Sequence, residues 1–287
     1  MKHSQPGMRR RSMIYIAILL LVVLIISCRL VPTNQQGDPL VNSFLFFPTP
    51  FNAKDWTEPD FKYEDVTLTT SDDVKINAWY LAADKPKAWV VFSHGNAGNL
   101  NGWGYAAEEM RSQFGVSVLI YDYRGYGKSD GKPSVPGILK DGRAARDWLC
   151  SRESLKPDEL VYCGRSLGGA VAVDLTAETG AKGLILESTF TSIPAMAKAK
   201  LPLTPASIIS FKLDSLGCIK KYHGPLLHCH GDADTVIPFQ QGVDLFNACP
   251  SERKVFIRLE GLDHNDRLPE SYREQQQRFF EVIAADQ

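Results

Sequence analysis

The chain has 287 residues, 44% of them hydrophobic and 23% charged, with 32 Lys and Arg against 33 Asp and Glu and a formal net charge of −1. Without residues 1–27 the balance becomes 28 basic to 33 acidic groups, and no basic run follows, which excludes nucleic acid as an expected partner. No Cys/His cluster carries metal-ligand spacing, so neither a metal nor another cofactor is expected.

Residues 1–11 hold Lys2, Arg9, Arg10 and Arg11 and no acid, and residues 12–28 carry no charge at all. A basic start before an apolar run reads as a secretory signal or a signal-anchor. The run would make about 25 Å of helix against a hydrocarbon core of roughly 30 Å, so its length leaves both readings open. Its end, Ile25-Ile26-Ser27-Cys28, resembles a bacterial lipobox. That resemblance implies cleavage before Cys28 and lipid attachment there. Either way the arginines stay cytoplasmic, and the rest of the chain is expected on the far side of the membrane, held by a lipid or an anchor.

Residues 28–60 contain Pro32, Pro39, Pro48, Pro50 and Pro59 among Asn, Gln, Gly and Asp, the composition of a tether and irregular lead-in. Phe44, Phe46, Phe47 and Phe51 qualify that reading, because aromatics in such a segment pack back onto a domain or lie along a membrane. Residues 61–287 suit one large domain. Residues 65–70 and 74–81 alternate around Ser71-Asp72-Asp73 and read as an antiparallel hairpin. Residues 88–93 are continuously apolar, as a strand covered on both faces should be. Further strands follow at 116–121, 160–163, 183–187, 225–230 and 254–259, with helices around 138–149, after residue 166, and over 269–284. In the last helix Tyr272, Phe279, Val282 and Ile283 are expected on the buried face. The alternation predicts an α/β fold with a mainly parallel sheet, helices on both faces and the hairpin at one edge. Residues 188–224 are too long for a simple crossover and are expected to form a small cap over a pocket. Cys150 and Cys163 are expected too far apart to bond.

Gly164-Arg165-Ser166-Leu167-Gly168-Gly169 puts a serine on a strand-to-helix corner, where backbone strain exposes its hydroxyl. A serine hydroxyl needs a base, and the base needs an orienting carboxylate. Asp232 and Asp234 compete for the acid in His230-Gly231-Asp232-Ala233-Asp234, just past a buried strand. His264 lies in a loop past the last strand and is the candidate base. His228 and His230 belong to a strand and its end, and His94 shapes a turn. The amide of Leu167, at a helix N-terminus, and that of Asn96, or else Ala97, in the loop after the third strand are candidates to hold an oxyanion.

Together His94-Gly95-Asn96-Ala97-Gly98, the tyrosine-rich loop 121–129, the Ser166 hexapeptide, His230–Asp234 and Asp263-His264-Asn265 resemble the α/β-hydrolase superfamily. The likeness is to the branch of serine-aminopeptidase-like and depalmitoylase-like hydrolases, over roughly residues 63–285. It implies an α/β-hydrolase sheet and a triad of Ser166, Asp234 and His264. Hydrolysis of an ester or thioester in a small-molecule or acylated substrate is expected over peptide cleavage, because nothing in the sequence offers a dedicated site for a free amino terminus. A peptidase, a perhydrolase and a non-catalytic binding protein on the same fold stay as alternatives. Where relatives carry Gly-Ala or Gly-Gly before the histidine this chain has Leu262-Asp263, and the tyrosine-rich loop, Arg124 included, is read as structural.

Overall fold

The computed structural model describes residue 42 and residues 45–200, 209 and 211–285. The apolar run at 12–28, Cys28, most of the tether and residues 201–208 and 210 of the expected cap lie outside the described residues.

In chain order the elements are β1 (Phe47–Pro48), β2 (Glu64–Thr69), β3 (Lys75–Leu81), β4 (Trp89–Ser93), β5 (Ala97–Gly98), α1 (Leu100–Phe114), β6 (Ser117–Tyr121) and α2 (Val135–Glu153). Then come β7 (Val161–Arg165), α3 (Leu167–Thr179), β8 (Gly183–Glu187), α4 (Ile193–Lys200), α5 (Ser215–Ile219), β9 (Leu226–Gly231), α6 (Phe239–Ala248), β10 (Lys254–Leu259) and α7 (Glu270–Ala285). Eight strands form one sheet in the order β10-β9-β8-β7-β4-β6-β3-β2. Six of them, from β10 to β6, run parallel, and the hairpin β2–β3 joins β6 antiparallel.

The continuous apolar runs are fully buried: every residue of β6 and β8 is buried, as a strand covered by helices requires. Alternate residues feed two cores. Val91, Leu119, Tyr162 and Leu184 face α2 and α3, through Ile138, Val171 and Leu175. Val90, Phe92, Ile120, Cys163 and Ile185 face α1 and α7, through Phe114, Phe280 and Ile283. Register aligns the strand ends: Ser93 pairs with Gly164, Gly164 with Leu186, Arg165 with Glu187, and Leu259 with Gly231. That edge is where strand-to-helix turns can converge on one point.

Three local readings are corrected. Helix α1 was not expected, although Asn99 caps its start by accepting from the Asn101 amide and Gly115 ends it in the left-handed region at φ 67°. In α7 the inward stripe is Tyr272, Arg273, Gln276, Phe280 and Ile283, while Val282 is 51% exposed. Phe280 is the fully buried ring, stacked on Phe114 of α1 at 5.5 Å, and Phe279 is partly buried against the same core. Helix α2 runs beyond the expected 138–149 at both ends, with Ser134 as its N-cap. The five cysteines among the described residues, Cys150, Cys163, Cys218, Cys229 and Cys249, are free.

Arg124 ties the hairpin to α2: its guanidinium donates to Asp72 at 3.0 Å and to buried Asp141 at 2.9 Å. Burial pushes the Asp141 carboxyl up to about 6 against the lowering pull of Arg124.

Candidate active site

Ser166 sits between β7 and α3 with φ 54° and ψ −117°, a conformation that costs a non-glycine residue on the order of 1–3 kcal/mol. Backbone bonds hold it there: its N–H donates to the Glu187 carbonyl at 2.8 Å, and its carbonyl accepts from Thr189 Oγ1 at 2.7 Å. The tightness of the corner explains two glycines. A Cβ on Gly164 would lie 2.2 Å from the Gly168 carbonyl oxygen, and one on Gly168 would lie 1.9 Å from that of Ser93.

The ends of β9 and β10 bring the other two groups in. His264 Nε2 lies 3.0 Å from Ser166 Oγ, and His264 Nδ1 lies 2.7 Å from Asp234 Oδ2. An ionised carboxylate only accepts, so Nδ1 carries the proton and Nε2 is left to accept from the serine hydroxyl. The Asp234 side chain is 0% exposed and that of His264 is 8% exposed. Asp234 Oδ1 is engaged too, accepting from the Val236 and Ile237 amides at 2.8 and 2.7 Å, so the acid forms its own Asx turn. Asp232, its competitor in the sequence, is instead paired with Arg258 at 2.7 Å.

His230 has a part that its position in a strand did not reveal. Its Nε2 lies 3.0 Å from the Ile237 carbonyl and 3.3 Å from Asp234 Oδ2, so it holds both ends of the acid turn. Burial pushes the Asp234 carboxyl up, but bonds from His230, His264 and the Ile237 amide outweigh it and hold the group below the ordinary carboxylate value. The spacing of four residues between His230 and Asp234 was the signal available.

Asp263 does not face the imidazole ring. Its carboxylate accepts from the Thr235 amide at 2.7 Å, the Thr235 hydroxyl at 2.9 Å and the His264 amide at 2.7 Å, joining the acid turn to the histidine loop. Arg165 braces the same loop from below, donating to the His264 carbonyl at 2.9 Å. Asp263→Ala is expected to lower kcat about tenfold with KM unchanged, because the two loops lose their common tie. Steady-state kinetics on a short ester measure this, and a kcat within twofold of wild type would show the tie to be dispensable.

Leu167 opens α3, where an amide has no intrahelical acceptor. Asn96 follows β4 in a loop braced by His94. The His94 ring contacts the Gly95 carbonyl at 2.6 Å and fully buried Asp122 at 3.4 Å. Ala97, the second candidate in that loop, pairs with Phe47. Among the described residues no group of three or more His, Cys, Asp or Glu could hold a metal ion.

The profile of the family described as "Serine aminopeptidase, S33" matches residues 84–214. The chain is 34% identical over 239 residues to the bem46 protein of Schizosaccharomyces pombe, covering 79% of this chain and 77% of that one. It is 32% identical over 212 residues to the membrane protein YNL320W of Saccharomyces cerevisiae, covering 72% and 75% of the two chains. Among solved structures, the Pyrococcus furiosus esterase Pf2001 superposes with a TM-score of 0.68 at 20% identity, over 83% of this chain and 98% of that one.

Proposed function

Because this chain belongs to the α/β-hydrolase superfamily, we propose that it is a serine hydrolase that cleaves carboxylic esters or thioesters through Ser166, His264 and Asp234. The observation that carries this reading is the continuous hydrogen-bond path from Ser166 Oγ through both ring nitrogens of His264 to a solvent-excluded Asp234. In the first step His264 Nε2 takes the serine proton as Oγ bonds to the substrate carbonyl carbon. The amides of Leu167 and Asn96 hold the oxygen as it becomes negative, a contribution of about 3–4 kcal/mol per donor in known cases. His264 then protonates the leaving alcohol or thiol. A water molecule, deprotonated by the same ring, hydrolyses the acyl-serine. Asp234 keeps Nδ1 protonated throughout and stabilises the imidazolium.

The family description favours one second reading, cleavage of an amide at a free amino terminus. A panel of p-nitrophenyl esters of rising acyl length, matched thioesters and aminoacyl p-nitroanilides separates the two. Ester and thioester turnover far above anilide turnover is the expected result. Turnover of anilides alone would establish the peptidase, and no turnover of any class would point to a binding protein. The same panel reads acyl length, and we infer residues 188–224, read from the sequence as a cap, as the segment that sets it.

We further infer residues 1–27 as a signal peptide or anchor, 28–60 as a tether and 61–287 as the hydrolase domain, carried outside the cytoplasm on a lipid at Cys28. The uncharged run at 12–28 and its Ile-Ile-Ser-Cys end support this, as does the similarity to a protein called a membrane protein. Among the described residues no helix is long and apolar enough to cross a membrane. Mass spectrometry of the mature N-terminus tests the assignment: a diacylglyceryl Cys28 is expected, and an intact Met1 would replace cleavage with a retained anchor.

A further inference from the structure

The segment around residues 47–51 is threaded between two loops that its sequence distance would not connect. On one side β1 runs parallel to β5, with Phe47 opposite Ala97 and Pro48 opposite Gly98, and Asn99 Nδ2 donates to the Thr49 carbonyl at 3.0 Å. On the other side Pro50 bridges Gly127, the Gly127 amide donates to the Thr49 carbonyl at 3.0 Å, and the Phe51 amide donates to the Gly127 carbonyl at 2.8 Å. The segment therefore joins the loop that holds Asn96 to the tyrosine-rich loop.

One atom collects the consequence. Asn96 Oδ1 accepts from the Phe47 N–H at 3.1 Å and from the Tyr126 hydroxyl at 2.7 Å. Tyr126 is fully buried, so its hydroxyl has little room to move. Phe47 is the reverse case: its side chain is 60% exposed, so what it gives the loop is its main-chain donor. Two fixed donors from separate elements leave the Asn96 side chain one orientation, and a side chain pinned at its tip restrains the backbone that carries it.

We propose that Phe47 and Tyr126 are positioning residues for the oxyanion-binding amide of Asn96, so that the lead-in before the hydrolase domain is a working part of the site. This rests on the serine-hydrolase reading above. An oxyanion donor acts only if it is held at the place where charge develops, and loosening it weakens transition-state binding more than substrate binding.

The test uses the full chain and a short p-nitrophenyl ester. Phe47→Pro removes the N–H and is compared with Phe47→Ala, which keeps it; Tyr126→Phe removes the second donor. For Phe47→Pro against Phe47→Ala, and for Tyr126→Phe against wild type, kcat is expected to fall about tenfold with KM within twofold. Affinity for a trifluoromethyl ketone, which forms an oxyanion on the serine, should fall in parallel. A kcat ratio within twofold in both comparisons overturns the proposal, as does a rise in KM with kcat retained. If Phe47→Pro no longer melts cooperatively, Tyr126→Phe decides alone. Fluorophosphonate labelling of the same preparations keeps the two readings apart. Labelling that persists in Ser166→Ala removes the hydrolase assignment, whereas Ser166-dependent labelling with unchanged kcat ratios removes only the role of Phe47 and Tyr126.

Discussion

Ser166→Ala is expected to lower kcat on a p-nitrophenyl ester by about a millionfold and to abolish labelling by a fluorophosphonate probe, with the protein still folded. The magnitude follows from the way a nucleophile and its base act as one unit, so that removing the attacking atom removes nearly all their joint contribution. The residual rate would come from the Leu167 and Asn96 amides and from substrate binding. The fold should survive because the bonds that hold the corner use only main-chain atoms of Ser166: its amide donates to the Glu187 carbonyl and its carbonyl accepts from the Thr189 hydroxyl, both kept by alanine. A melting temperature within a few degrees of wild type, measured with the loss of turnover, would separate lost chemistry from lost structure. Labelling that persists in the variant would remove Ser166 from the mechanism.

Asp234→Asn should cost about ten-thousandfold in kcat while changing the shape of the side chain hardly at all. The carboxylate is surrounded by donors: the Val236 and Ile237 amides on one oxygen, His264 and His230 on the other. An amide has a single oxygen, so it can satisfy one pair or the other. If it serves the turn, its NH₂ faces His264 Nδ1 and forces the ring into the tautomer whose proton points at the serine. A stability effect with a definite sign accompanies this. The Asp234 carboxyl is held below its unfolded value of about 3.9, so the ionised form stabilises the fold above that pH and the contribution is lost as pH falls below it. Wild type should therefore be more stable than Asp234→Asn at neutral pH, with the gap closing below about pH 4. Urea denaturation at pH 7 and pH 3 tests this, and an equal gap at both values would contradict it.

Much of the fold was legible because its strands are buried on both faces. Runs such as Val90-Val91-Phe92 and Leu184-Ile185-Leu186 have no polar alternation to confuse them with an exposed strand. The order of Ser166, Asp234 and His264 past successive strand ends was likewise readable, and the structure brings the three side chains together. Helix α1 escaped because Gly102 and Gly104 lower its propensity. In α7, the adjacent pairs Phe279–Phe280 and Val282–Ile283 leave the exact stripe open, and packing buries Phe280 and Ile283 fully, Phe279 partly and Val282 hardly at all. Asp234, which the resemblance selects over Asp232, meets His264, while Asp232 pairs with Arg258, 26 residues away in the chain. The contact from Phe47 to Asn96 spans 49 residues of chain, and no local periodicity encodes it.

The place of β9 and β10 at one end of the sheet also divides the candidate site along the chain. Ser166 and His264 are 98 residues apart in the chain, with the corner on β7 and the histidine past β10. On the serine-hydrolase reading, a chain cut short after β8 would keep the residues of the corner and lack both the base and its carboxylate. On that reading it is the segment past β10, and not the corner itself, that arms the nucleophile.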